Sequence, residues 1–285
     1  MDQAARLREL VARGPSGEGR VIAVASGKGG VGKTSIVVNL SLALARRRKR
    51  VLLLDADLGL ANVDILLGLV PRWDLSQVVR GEKEMKEIVI EGPEGIRLIP
   101  GGSGVQELAD LTPSQREHLI RSLGQVTEGT DFFLIDTSAG ISRNVLSFAA
   151  AAGEAIVVTT PEPTAITDAY GLIKGLSRLK VKLHLLVNRA ATWAEGRETA
   201  ERLRSTARRF LNLEVACLGV IPEDKAAGLA VREQKPLLVS YPSSAAARAI
   251  GEVADHLLGV PAFSGRGSGG FLQRLGWLLG VRGGK

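Results

Sequence analysis

Cysteine is nearly absent from this chain of 285 residues, in which Cys217 is the only one. One thiol excludes a disulfide framework, and it excludes zinc or iron–sulfur sites that need several thiolates from one chain. Cys217 lies within the apolar run VACLGVI, which is typical of a strand. We therefore expect a small buried side chain and not a functional thiol.

Long apolar runs are missing as well. No stretch reaches the roughly 18 consecutive apolar residues that indicate a transmembrane helix. The first ten residues, MDQAARLREL, are charged throughout and lack the apolar core of a signal peptide. The sequence therefore predicts a cytosolic protein.

Basic residues outnumber acidic ones, 37 to 30, which gives a formal net charge of +7. Such an excess suits an acidic partner, such as nucleic acid or an anionic membrane surface, and it also fits a basic surface with no such partner. The densest basic run, Arg46 to Arg50, closes a predicted helix. We interpret this run as a solvated helix end, because cations are favourable at the C-terminus of a helix.

Residues 20–260 alternate apolar, strand-like runs with helical stretches. Nearly continuous runs of Val, Ile and Leu are typical of strands that are covered on both faces, and the helices between them supply the crossovers. The pattern predicts an α/β fold with a doubly wound, mostly parallel sheet and helices on both faces. The candidate strands are 20–26, 50–55, 95–100, 131–136, 154–160, 181–187 and 215–221.

Short segments flank this domain on both sides. Residues 1–13 have a helical pattern, 14–19 form a linker, and the stretch 261–270 is predicted to be a flexible spacer. The tail, 271–285, is apolar on one side of a helical wheel, so it suits either a bilayer surface or a groove of its own domain. Its predicted membrane residues are Phe271, Leu272, Leu275, Trp277, Leu278 and Leu279.

Residues 27–34, GKGGVGKT, match the phosphate-loop pattern G-x-x-x-x-G-K-[ST] between a strand and a helix. Its glycines let backbone N–H groups surround phosphates, and the helix that follows directs its positive end at them. Lys33 is expected to reach the β- and γ-phosphates of the nucleotide, and the Thr34 hydroxyl to ligate Mg²⁺. The predicted nucleotide-binding residues here are Gly27, Lys28, Gly29, Gly30, Val31, Gly32, Lys33, Thr34 and Ser35.

Three carboxylates follow predicted strands. Asp136 ends the run DFFLID, and Asp55 and Asp57 lie at the end of RVLLLDAD. Because carboxyl ends of parallel strands meet at one edge of a sheet, we expect Asp136 to hold the Mg²⁺ shell beside the phosphate loop. Asp57 is predicted to belong to the same metal site and to orient the attacking water. Alternatively, Asp55 and Asp57 only cap the next helix.

Together, KGGVGKT with its extra lysine, DADLGLANVD and IDTSAG resemble the MinD/ParA family of dimerising ATPases, also called the deviant Walker A family. The resemblance covers residues 20–260. DLGLANVDILLG, IPGGSG and VVTTPEPTAITDAYGLIK look closest to one branch, the flagellar number regulators FlhG or FleN. The N-terminal DQAARLR is similar to the DQAxxLR element with which that branch stimulates the GTPase FlhF, and the tail is similar to its membrane-targeting helix.

The resemblance implies a role for particular residues. Lys28 matches the signature lysine, which reaches across an ATP-bound dimer to the partner's nucleotide, and Asp57 and Asp136 match the aspartates of the two switches. Arg189 follows Asn188 in place of the lysine of a guanine-selecting N-K-x-D pattern, which agrees with ATP. The implied adenine contacts are Asn188, Arg189, Pro222, Glu223 and Asp224. The implied FlhF contacts are Asp2, Gln3, Ala4, Leu7 and Arg8.

The function implied by this resemblance is an ATP-dependent homodimer with slow intrinsic ATP hydrolysis that controls flagellar number or placement. It would act in the cytoplasm and reversibly on the inner face of the cell membrane, with flagellar switch-complex proteins as further candidate partners. The alternatives are a MinD-type division-site regulator and a ParA-type partition ATPase that binds DNA. A reductase like the nitrogenase iron protein is disfavoured, because it needs two ligand cysteines per subunit.

Overall fold

The structure is a computed structural model that describes residues 19–57, 62–102, 112–260 and 267–278. The predicted N-terminal segment 1–13, nearly all of the linker and Leu279 lie outside these ranges. The strands are β1 (Arg20–Ser26), β2 (Val51–Ala56), β3 (Ile90–Glu91), β4 (Arg97–Ile99), β5 (Phe132–Ala139), β6 (Glu154–Thr159), β7 (Lys182–Ala190) and β8 (Ala216–Pro222).

All seven predicted strands are present, with small shifts at their ends. Together with β3 they form one sheet of eight strands in the order β3-β4-β2-β5-β1-β6-β7-β8. Every pairing is parallel except that between β3 and β4, so the predicted doubly wound, mostly parallel sheet is confirmed. The two-residue strand β3 was not predicted, because it is too short to show a pattern.

Helices cover both faces of the sheet, and an apolar core lies on each face. The described helices are α1 (Lys33–Arg46), α2 (Val63–Leu67), α3 (Leu75–Val79), α4 (Met85–Ile88), α5 (Pro113–Thr127), α6 (Arg143–Ala152), α7 (Pro163–Ser177), α8 (Trp193–Leu211), α9 (Lys225–Arg232), α10 (Leu237–Ser240), α11 (Ala245–Gly259) and α12 (Ser268–Leu278). Across the described ranges, none of these helices combines the length and hydrophobicity that a membrane span requires.

One local prediction needs an addition and another needs correction. The basic run follows α1 and four of its five residues are exposed, as expected of a solvated helix end, while Arg46, Arg47 and Arg50 also form ion pairs with acidic residues of other segments. Cys217 is half-buried instead of buried, since β8 is an edge strand, and burial raises the pKa of its thiol.

The predicted spacer ends earlier than expected, because α12 begins at Ser268. Glycine is unfavourable in a helix by about 1 kcal/mol relative to alanine, so the run SGG looked like a linker. Packing reverses that preference. Phe271, Leu272 and Leu275 are buried in the core, and the Phe271 ring meets Phe133 of β5 edge-to-face at 5.4 Å.

The helix α12 lies in a groove between α5 and α6. Two glycines permit close approach: a Cβ on Gly276 would lie 2.8 Å from Cδ1 of Ile120, and one on Gly124 would lie 3.4 Å from Cδ1 of Leu272. The Nε of Arg274 donates to the carbonyl of Ala151 in α6. The sequence allowed the tail to bind either a bilayer surface or a groove of its own domain, and in this structure it lies in the groove.

Candidate active site

The loop between β1 and α1 is shaped by glycines that could not carry a side chain. A Cβ on Gly27 would lie 2.2 Å from the backbone carbonyl of Asp168 in α7. Gly32 has φ +89°, in the left-handed region, and caps α1. The loop therefore turns tightly into the start of α1, as a phosphate loop requires.

Lys33, Thr34 and Asp136 form the centre of the site. The Nζ of Lys33 lies 2.6 Å from Oδ1 of Asp136, and both side chains are buried. The Thr34 side chain lies near the same carboxylate and favours its charged form. Burial raises the pKa of Asp136, and the interactions with Lys33 and Thr34 oppose part of that rise. Three residues that the sequence assigned to phosphate and metal chemistry are thus brought together.

One oxygen of this cluster stands out. Oδ2 of Asp136 is fully buried and has no hydrogen-bond partner among the residues that the structure describes. A buried carboxylate oxygen without a partner is costly, and oxygen ligands are what Mg²⁺ prefers. The donor set of the Thr34 hydroxyl and the Asp136 carboxylate therefore fits a divalent cation.

Asp55 lies beside Asp136, because the two residues are register partners on β2 and β5. Burial, and next the charge of Asp136, raise the pKa of Asp55 to about 7. Its carboxylate accepts backbone N–H groups from Asp57 at 3.1 Å, Asn62 at 3.1 Å and Val63 at 3.2 Å. The capping interpretation is therefore right for Asp55, which holds both ends of the segment that leads from β2 into α2.

Asp57 is half-exposed at the end of β2, and its charge contributes to the raised pKa of Asp136. It therefore lies within electrostatic range of the cluster. The role in orienting water remains a prediction.

Lys28 points away from the Lys33 cluster. Its Nζ lies 3.0 Å from Oε2 of Glu162 and donates to Oγ1 of Thr164 at 2.8 Å, at the start of α7. The two lysines of the loop thus have different surroundings, one buried and one half-exposed. Sequence reasoning missed Glu162, since no spacing pattern links it to a loop 134 residues earlier.

Two of the implied adenine residues contact the same loop. The Asn188 amide donates to the carbonyl of Val31 at 2.8 Å, and Arg189, with φ +56°, reaches the carbonyl of Gly30 at 3.4 Å. These two residues brace the loop from the end of β7. Asp224 accepts the backbone N–H groups of Ala246 and Ala226, which lowers its pKa and caps α9.

Pro222 ends β8, and Glu223 is exposed beside it. Adenine contact by these residues stays a prediction. Trp277 is part of α12, but its side chain lies outside the part of the chain that the structure describes, as do all the implied FlhF contacts.

The fold and the site together define a P-loop nucleotide-binding protein, with buried carboxylates at the strand ends beside its phosphate loop. A sequence model of the ParA family, described as NUBPL iron-transfer P-loop NTPase, matches residues 18–258. The chain belongs to the ParA/MinD family of P-loop NTPases, and it is an ATPase.

Known relatives point the same way. The chain is similar to the antiactivator FleN of Pseudomonas aeruginosa, with 44% identity over 238 residues, or 83% of this chain and 85% of FleN. It is 36% identical over 243 residues to the flagellum site-determining protein YlxH of Helicobacter pylori, covering 85% and 83% of the two chains. The structure of septum site-determining protein MinD of Pyrococcus horikoshii, complexed with Mg-ADP, matches with a TM-score of 0.70 and 28% identity, over 84% of this chain and 95% of that one.

Proposed function

We propose that this protein is an ATP-driven dimerisation switch that regulates the number or placement of flagella. The observation that carries the proposal is that two lysines of one loop have different surroundings. Lys33 lies in the buried cluster with Asp136, whereas Lys28 lies outside it. The name of the YlxH relative, a flagellum site-determining protein, supports the flagellar assignment.

Within one subunit, the loop N–H groups and Lys33 would bind the phosphates of ATP. Thr34 and Asp136 would hold Mg²⁺, which neutralises phosphate charge when it is bound. The MinD structure with Mg-ADP supports Mg²⁺ and an adenine nucleotide as the ligands of this site. Asp57 would orient the attacking water. Intrinsic hydrolysis would be slow, because the site of one subunit is incomplete.

The second subunit completes the site. Lys28 would leave Glu162 and Thr164 and bind the phosphates held by the partner subunit. An exposed ion pair contributes little to stability, so its loss is a small barrier. The γ-phosphate adds the charge that attracts the second lysine, and hydrolysis removes it, so the dimer would last as long as ATP does.

Replacement of Lys28 tests the proposal. Lys28→Ala should leave ATP binding by the monomer intact and abolish the increase in mass that ATP, but not ADP, causes in light scattering after size exclusion. Lys49→Ala is the matched control, since Lys49 is an exposed lysine at the other end of the sheet. A Lys28→Ala protein that dimerises and hydrolyses ATP like the wild type contradicts the proposal.

Two peripheral segments would connect the switch to its partners. Residues 2–8 would stimulate the GTPase FlhF, so deletion of 2–12 should remove that stimulation without affecting ATP binding. The tail would contact an anionic membrane, which requires α12 to leave its groove because its apolar residues are buried there. Pelleting with anionic vesicles in ATP, compared with binding of duplex DNA at the same salt, tests this localisation; binding of DNA alone would favour a partition ATPase.

A further inference from the structure

Three buried polar side chains meet at the amino ends of the strands, opposite the phosphate loop. Arg20 begins β1, Glu154 begins β6, and His184 lies in β7. Arg20 donates from Nε at 2.8 Å and from Nη2 at 2.5 Å to the two oxygens of Glu154, and Nε2 of His184 lies 2.6 Å from Oε1 of the same carboxylate. The exposed fractions of the three residues are 7%, 2% and 0%. We call these three residues the anchor cluster.

Arg20 also holds the chain on both sides of the segment 261–266. Its Nη1 donates to the carbonyls of Leu257 at 2.6 Å and Val260 at 3.1 Å, where α11 ends. Its backbone forms an isolated antiparallel bridge with Gly267, one residue before α12 begins. One residue therefore fixes the point where the chain leaves α11 and the point where it enters α12.

This attachment places the first turn of α12. The N–H of Phe271 donates to the carbonyl of Gly267 at 3.0 Å, so the residue paired with Arg20 also starts the helix that carries Phe271 into the core. A short connection with both ends fixed keeps the helix at a high effective concentration beside its groove. Without the attachment, an isolated helix of eleven residues is marginal in water.

Stability alone does not explain a buried ion pair here. Replacing such a pair with apolar residues of similar volume is often neutral or stabilising. What apolar residues cannot do is hold a carboxylate and two backbone carbonyls at once. The planar guanidinium of arginine, with its five donors, does this, and the compact ammonium of lysine does not.

We propose that Arg20, held in place by Glu154 and His184, is the anchor that keeps α12 docked between α5 and α6. Release of this anchor exposes the apolar face of the tail. The docking itself is seen in the structure, and only its use to control lipid contact rests on the proposed membrane role.

The test is hydrogen exchange on the full-length protein carrying Arg20→Lys, which keeps the charge beside Glu154 and loses the fork of donors. The variant keeps the backbone bridge to Gly267 but loses the hydrogen bonds to the carbonyls of Leu257 and Val260, so the point where the chain leaves α11 is no longer fixed. Exchange in residues 268–278 should then be faster by about tenfold. Exchange in β5 should not change. Arg50→Lys is the matched control. Arg50 lies just before a strand and pairs with an aspartate, Asp131, and the structure shows no contact between Arg50 and the described part of the tail.

A folded Arg20→Lys protein whose tail exchanges at the wild-type rate overturns the proposal. So does faster exchange spread evenly over β1, β6 and β7, because that is the result of a purely structural role. If Arg20→Lys does not fold, Arg20→Met combined with Glu154→Met replaces it, since that pair leaves no unpaired charge between these two positions, and the same two criteria apply.

Vesicles containing phosphatidylglycerol separate this proposal from the membrane role. A tail that opens and makes the protein pellet with vesicles without ATP supports both. A tail that opens without any pelleting supports the anchor and contradicts the membrane role. Pelleting by the wild type in ATP, together with a tail that stays closed in the variant, supports the membrane role and overturns the anchor.

Discussion

Gly27 and Gly29 belong to one loop but have different surroundings. Gly27 faces the backbone of α7, and a Cβ there would lie 2.2 Å from the carbonyl of Asp168. Among the described residues, a Cβ on Gly29 would meet nothing closer than the Cβ of Ala139, at 4.0 Å. Contact with backbone is hard to relieve, because neither the loop nor a helix can rotate away as a side chain does. The shape of the phosphate loop thus depends on α7 as well as on its own sequence.

Gly27→Ala should therefore destabilise the protein by about 1–3 kcal/mol, the usual cost of overpacking, and weaken ATP binding at least tenfold. Gly29→Ala should change the unfolding free energy by less than about 0.5 kcal/mol, as substitutions in open positions do. Urea unfolding and titration with a fluorescent ATP analogue measure the two effects. Equal effects of the two substitutions would contradict this account of the loop.

Glu154 gives the fold a dependence on pH. Burial by itself raises the pKa of this carboxyl, but hydrogen bonds from Arg20 and His184 outweigh it and lower the pKa to about 2. A carboxyl whose pKa falls on folding stabilises the native state above its unfolded pKa, near 4.5, and this stabilisation is lost as the pH falls toward 2. The total is about 3 kcal/mol.

Glu154→Gln should remove that dependence. The unfolding free energy of the wild type should fall more steeply between pH 5 and pH 3 than that of the variant, measured by urea titration at each pH. Parallel curves over this range would show that Glu154 is not the group responsible.

Among the elements, α12 combines a weak intrinsic tendency to form a helix with strong burial. It is short and rich in glycine, yet its apolar residues reach the core. The Phe271 side chain is fully buried, while Gln273 on the same helix is exposed. A short helix whose attachment combines such contacts with the bridge at Gly267 is expected to open as a unit while the sheet stays folded.

Phe271→Ala should undock α12 instead of unfolding the domain. Loss of a buried Phe costs about 3–5 kcal/mol, which is large for the docking of so short a helix. Chymotrypsin should cut the tail of the variant faster than that of the wild type, with little change in Tm, and Gln273→Ala should behave like the wild type. A protected tail together with a large fall in Tm would mean that α12 is an integral part of the core.

The sequence predicted the elements whose pattern is local. Runs of Val, Ile and Leu identified the strands, and the spacing of GKGGVGKT identified the phosphate loop with Lys33 and Thr34. It could not predict contacts between distant residues without a motif, such as that of Lys28 with Glu162. Arg20 and Glu154 look like ordinary charged residues at strand starts, and only the fold shows that they are buried together.

In the molecule as a whole, the sheet separates two regions. The phosphate loop, Asp55 and Asp136 lie at the carboxyl ends of the strands, and the anchor cluster lies at the amino ends. The proposed function needs both regions, because nucleotide is bound at one and the tail is attached at the other.

Asp57→Ala tests whether nucleotide turnover controls the assembly. The variant should bind ATP and dimerise, but hydrolyse ATP at least tenfold more slowly, so that the dimer and its attachment to anionic vesicles persist. Light scattering and vesicle pelleting over time after ATP addition measure this, with Asp64→Ala as control because Asp64 lies in the next helix and not at the site. Hydrolysis at the wild-type rate would show that Asp57 has no role in the hydrolysis of ATP.

The helix α6 is attached at both of its ends. Before it begins, the N–H of Gly140 donates to the carbonyl of Ser26 at the edge of the phosphate loop, and near its end Ala151 accepts the hydrogen bond from Arg274 of α12. Ten helical residues span about 15 Å and resist compression. The segment from Gly140 to Ala151 therefore connects the edge of the phosphate loop to the tail groove through two hydrogen bonds, beside β1, which is paired on both sides.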